Sequence, residues 1–170
     1  MKIKLFLCVV LASCATFAAD NATKQAPIIS EQSQLNLLVA PIKSLDDLNA
    51  YMRNTPKAKN PIEKLSTNGK ARFLSSLRFN EKGLTSFGHL DLEAELSASE
   101  IYQILSLFGA QELISTTSNL VIKNDFDRMV VRNITPRNNG WSIRNHVCAD
   151  LPTRGCKRFT GVTCNDLTCY

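Results

Sequence analysis

The sequence predicts an α+β fold: a single small domain of short amphipathic helices and a few short strands, closed by a disulfide-stapled C-terminal lobe. Three observations carry this. Apolar residues recur at helical spacing in several short stretches. Short apolar runs of strand length are separated by turn signals. Four of the six cysteines, Cys148, Cys156, Cys164 and Cys169, fall in the last 23 residues. The regular alternation of strands and helices that builds a repeated βαβ protein is missing.

The N-terminus comes first in the chain and sets the compartment. Lys2 and Lys4 precede an apolar stretch from Leu5 to Ala12 that carries no charge. That stretch is far shorter than the roughly 20 residues needed to cross a bilayer, so it reads as an export signal and not as an anchor. Thr16 and Ala18 are small residues spaced for cleavage before Ala19, which makes 1–18 a signal peptide. Leu11-Ala12-Ser13-Cys14 also resembles a bacterial lipoprotein signal. That resemblance implies a signal over 1–13 and a lipidated Cys14 holding the protein to a membrane surface. Both readings leave four cysteines in the folded chain and place the protein outside the cytoplasm, periplasmic or secreted, where disulfides persist.

Removing residues 1–18 takes away Lys2 and Lys4 and no acid, so the net charge falls from +5 to +3. Residues 121–170 hold eight Lys and Arg against four Asp, while residues 19–120 sum to −1. A basic C-terminal third suits an acidic protein partner or an anionic envelope surface. Export and an aromatic content of 7% argue against nucleic acid. The remaining 150 or so residues suffice for one core. Residues 19–40 read as a flexible lead-in, 41–147 as the α+β core and 148–170 as the disulfide-rich lobe. Asn21-Ala22-Thr23 and Asn133-Ile134-Thr135 match the glycosylation triplet, which has meaning only in a eukaryotic host.

Within the core, Ser44 is an N-cap followed by Asp46 and Asp47, and Leu45, Leu48 and Met52 share one helical face. Asn54 to Pro61 is a loop with two prolines and two lysines, and Pro61 opens a short helix through Leu65. Asn68-Gly69 marks a turn. Phe73, Leu74 and Leu77 form a further helical face. Phe79 to Leu84 predicts a tight turn between two short strands, with Gly83 supplying the positive φ.

Leu90 to Leu96 alternates apolar and acidic residues, which favours a strand with Asp91, Glu93 and Glu95 on one face. Its Leu, Glu and Ala content favours a helix instead. Ser97-Ala98-Ser99-Glu100 is a capping box, and Ile101, Ile104, Leu105 and Phe108 fall on one helical face that Gly109 ends. Leu120-Val121-Ile122 and Met129-Val130-Val131 read as strands, and Asn138-Asn139-Gly140 as a turn.

Three constellations bear on function. The four C-terminal cysteines are separated by seven, seven and four residues, without the close C-x2-C pairs of zinc sites, so two disulfides are expected. Three connectivities are open, and the sequential one, Cys148 to Cys156 and Cys164 to Cys169, closes two small loops. Arg154 lies in the first loop and Lys157 and Arg158 directly follow Cys156, together a preorganised basic surface. Asp91, Glu93 and Glu95 form a second candidate contact surface, since acids on one strand face discourage sheet aggregation or meet a partner. The two histidines, His89 and His146, are the candidates for base catalysis, with Asp91 on the same face as His89 if the segment is a strand.

No G-x-S-x-G elbow is present. No cofactor or metal is called for. These observations favour an exported binding protein that acts by occupying a protein partner, as an inhibitor, immunity-type protein or adaptor does. The alternative is a small secreted hydrolase using a histidine with a carboxylate.

Overall fold

The computed structural model describes residues 31–133, 142–149 and 155–169. The signal segment with Cys14, the Asn138-Asn139-Gly140 turn and Arg154 lie outside the described residues.

Helix α1 (Glu31–Val39) opens the described chain. It falls inside the segment read as a flexible lead-in. Its Ser33 and Asn36 are buried, and their side chains donate to Glu112 at 3.0 and 3.1 Å. Helix α2 (Leu45–Asn54) begins where the sequence places it, with the Ser44 hydroxyl accepting the Asp47 N–H. Leu48 turns into the core, whereas Leu45 is exposed. Two 3-10 turns, Lys57–Lys59 and Pro61–Lys64, follow, fixed by Asn60, whose side chain caps the Ile62 N–H.

Helix α3 (Thr67–Ser76) starts one turn earlier than the Asn68-Gly69 signal suggests, because Ser66 caps it and places Gly69 inside the helix. Gly69 serves close approach. A Cβ there would stand 2.3 Å from the Glu95 carboxylate. Strands β1 (Arg78–Asn80) and β2 (Gly83–Gly88) form the predicted hairpin, with Gly83 at φ +119°.

Helix α4 (Leu90–Glu95) corrects the strand reading of this segment. Leu92 and Leu96 are both buried, and a spacing of four satisfies a helix as well as an alternating strand. Leu90, which a strand would bury with them, is exposed. Helix α5 (Ala98–Ser106) is the capped helix expected, its apolar stripe packed in the core.

The Leu120–Ile122 run makes only an isolated parallel bridge between Ser97 and Val121. Met129–Val131 belongs to helix α6 (Asp125–Asn133), not to a strand. Buried Asp127 and Val130 sit three residues apart on its inner face, while Phe126 and Met129 stay exposed.

Strands β3 (Ser142–Ala149) and β4 (Gly155–Asn165) complete an antiparallel sheet of order β1-β2-β4-β3, and helix α7 (Asp166–Cys169) ends the described chain. The C-terminal segment is therefore built into the sheet, with β4 as an inner strand. Leu84 of β2 shows how firmly: its carbonyl accepts both Asn165 Nδ2 at 3.0 Å and Thr168 Oγ1 at 2.6 Å.

The core lies between the helices and this sheet. Ile42, Ile62, Phe73, Leu84, Ile104 and Phe108 are each at most 1% exposed, with the Phe73 and Phe108 rings edge-on at 6.4 Å. Among the described residues, no helix is long and apolar enough to cross a membrane.

Candidate functional site: the stapled β3–β4 hairpin

The disulfides pair Cys148 with Cys169 and Cys156 with Cys164. This nested arrangement replaces the sequential pairing, although the strand register sets Cys148 opposite Cys156. Cys148 and Cys156 are direct neighbours across the hairpin, and Cys164 lies further along β4. The outer bridge ties β3 to α7. The inner bridge links two points of β4 that a bulge between Arg144 and His146 and the positive-φ residues Asn145 and Gly161 allow to bend. The Asn145 side chain accepts the Gly161 N–H at 3.0 Å and holds that bend. Two disulfides suit an oxidising environment outside the cytoplasm.

The bend carries Lys157, Arg158, Phe159 and Thr160, all exposed. Phe159 is 58% exposed, although a large aromatic ring in a strand ordinarily packs. Lys157 and Arg158 make no side-chain hydrogen bond or ion pair among the described residues. Two of the three basic candidates thus stand beside an exposed aromatic ring that the charge pattern alone did not single out. The signal for it was Phe159 following Lys157-Arg158 directly in a segment poor in other apolar residues.

The acidic candidates are distributed differently. On a helix, Asp91 and Glu95 are one turn apart, and Glu93 points elsewhere. Asp91 accepts from Arg72 of α3. Glu95 accepts the Ser66 N–H at 2.6 Å and the Ser66 hydroxyl at 2.8 Å, capping the start of α3 from outside. Glu93 forms a two-point ion pair with Arg144 of β3. No common acidic face exists. The three carboxylates bind α4 to its neighbours.

The histidines are also inside the architecture. His89 is only 3% exposed, where the sequence placed either a surface residue or a partner of Asp91. Its Nδ1 shares a 3.0 Å hydrogen bond with the Thr163 hydroxyl, and its Nε2 is buried without a hydrogen-bond partner. Burial, then the Arg144 charge, lowers its pKa, with Glu93 partly opposing them, so the ring is neutral. His146 is half-buried, its Nδ1 beside the Arg144 carbonyl at 3.0 Å. Neither ring is hydrogen-bonded to a carboxylate among the described residues.

A scan against protein-family models, a search of curated proteins and a search of solved structures found no match to this chain.

Proposed function

We propose that this chain is an exported binding protein, periplasmic or secreted, that occupies an acidic protein partner through the β3–β4 hairpin. One observation carries the reading. Lys157, Arg158 and Phe159 are consecutive and exposed, and the two cations have no ionic partner among the described residues, on a strand held in shape by two disulfides. A contact surface fixed before binding loses little conformational entropy when it docks, and an aromatic anchor flanked by cations is the composition of an interface hot spot. Arg154 joins the same basic segment by its place in the sequence.

The partner chemistry follows: carboxylates for Lys157 and Arg158, and an apolar socket for Phe159. Such binding weakens with salt, because exposed charges are screened. The acidic trio no longer supports a second contact surface, since each member already has an intramolecular partner. The hydrolase reading has less support. A general base needs access to its substrate, and the histidine with the clearest side-chain partner is buried.

Reversal of the two charges, Lys157→Glu with Arg158→Glu, tests the proposal in a capture experiment with the mature oxidised protein. Loss of a salt-sensitive partner is expected. Retention of the same partner at equal strength would remove this surface from the account.

A further inference from the structure

A second surface stands apart from the hairpin. The loop between α2 and α3 borders an open concavity of about 390 Å³, lined by Lys57, Lys59, Asn60, Glu63, Lys64 and Gln103 among others. Its charge is one-sided. The single lining carboxylate, Glu63, is held by Lys70 at 2.7 Å, so its charge is balanced from outside the lining set. Lys64 approaches Glu100 at 3.6 Å and donates to Gln103 Oε1 at 3.3 Å. That bond orients the Gln103 amide and leaves its NH2 group for a ligand. Lys57 and Lys59 make no side-chain hydrogen bond or ion pair among the described residues.

The floor of the concavity is rigid. Pro56 and Pro61 fix the backbone on either side of the two lysines, and each 3-10 turn closes with its own hydrogen bond. Asn60, 4% exposed, is pinned by its bond to the Ile62 N–H and by its contact with the Met52 sulfur. The backbone that carries Lys57 and Lys59 is thus fixed beside Lys64, so the loop has little backbone freedom left to lose on binding.

Lys57 and Lys59, with Lys64 shared with Glu100, border one small hollow and match a compact anion carrying more than one negative charge. A planar carboxylate is matched better by the fork of an arginine. The volume is that of a small-molecule site. We propose that this loop binds a phosphate-bearing group, a phosphomonoester or a diphosphate, seated between Lys57, Lys59, Lys64 and the Gln103 amide. The group can belong to a free phosphate ester or to a lipid headgroup. The site is independent of the hairpin surface, and neither assignment needs the other.

The test is a 1H–15N NMR titration of the mature oxidised protein with inorganic pyrophosphate at low ionic strength, paired with co-sedimentation on vesicles of anionic phospholipid. The expected result is saturable binding to at least one probe, with shifts concentrated on the Asn60 and Gln103 side-chain amides. Pyrophosphate binding identifies a free ester as sufficient, and vesicle binding alone identifies a headgroup. The variant Lys57→Ala/Lys59→Ala should weaken that binding by about tenfold or more, the loss of one or two charge-assisted contacts. Lys157→Glu/Arg158→Glu should leave pyrophosphate binding unchanged. Both lysines are exposed, so an unaltered thermal transition in the first variant separates lost binding from lost fold. Binding to neither probe, or binding that survives Lys57→Ala/Lys59→Ala, or shifts centred on the β3–β4 hairpin would overturn the proposal.

Discussion

Glu93 of α4 and Arg144 of β3 face each other as a two-point ion pair, the second guanidinium nitrogen 2.8 Å from the second carboxylate oxygen. Both side chains are largely buried, Glu93 at 11% exposure and Arg144 at 28%. The pair sits next to the bulge that bends the hairpin and beside His89, so it joins α4 to β3 of the hairpin. Glu93→Ala leaves the guanidinium without its acceptor. The expected loss is about 1–3 kcal/mol in urea unfolding. In a double-mutant cycle with Arg144→Ala the two losses should be strongly non-additive.

Asp127 plays the equivalent part between α5 and α6. It is fully buried and accepts the Ser99 N–H at 2.8 Å, the Lys123 N–H at 2.8 Å and the Asn124 N–H at 3.1 Å. Burial raises its pKa, but the hydrogen bonds from Ser99 and Lys123 outweigh it and hold the carboxyl well below the usual carboxylate range. A depressed folded pKa adds stability that is complete above the unfolded value of about 4 and declines as pH falls below it. Asp127→Ala should cost about 2–4 kcal/mol, for the buried amides it orphans, and should shrink the loss of stability seen between pH 4 and pH 2.

His89 governs a separate pH window. Its folded pKa lies below the unfolded 6.5, so the unfolded chain takes the proton first. Stability should therefore fall as pH drops below about 6.5, before Asp127 contributes. His89→Gln should flatten the thermal midpoint between pH 7 and pH 5 while preserving the decline below pH 4. A wild-type midpoint that is flat over the first window would contradict the buried neutral ring.

The two disulfides differ in the loops they close. Cys148–Cys169 spans 21 positions and Cys156–Cys164 spans 8. In the chain-entropy description, removing either bridge by paired Cys→Ala changes costs about 3 kcal/mol, the outer one slightly more. The inner bridge should matter more for partner capture, because it shapes the strand that carries Lys157, Arg158 and Phe159. Equal capture by the Cys156→Ala/Cys164→Ala protein would show that the bend is not needed for recognition.

Local signals in the sequence were sufficient where one residue dictates a backbone geometry. Gly83 marked the hairpin, Ser44 capped α2, and Glu100 reaches back to the Ser97 N–H at 2.8 Å as the capping box requires. They failed where two periodicities coincide. Leu92 and Leu96 are buried at a spacing common to helix and strand, and Val130 lies in a run of β-formers that Asp127 nonetheless pins as a helix. For the site, Lys157 and Arg158 were legible as charge. That Asp91, Glu93 and Glu95 have internal partners depends on Arg72, Arg144 and Ser66, residues 19 to 51 positions away, and no local pattern reveals contacts of that range. The burial of His89 has the same origin, since Thr163 comes from β4, 74 positions on.

The most direct measurement is affinity capture from the native extract on mature oxidised protein, read by mass spectrometry at low and high salt. Wild type should be compared with Lys157→Glu/Arg158→Glu and with Phe159→Ser. One stoichiometric protein partner with an acidic surface is expected, retained by wild type at low salt, weakened at high salt and lost from both variants. A partner held equally by all three proteins, or no stoichiometric partner at either salt, would contradict it.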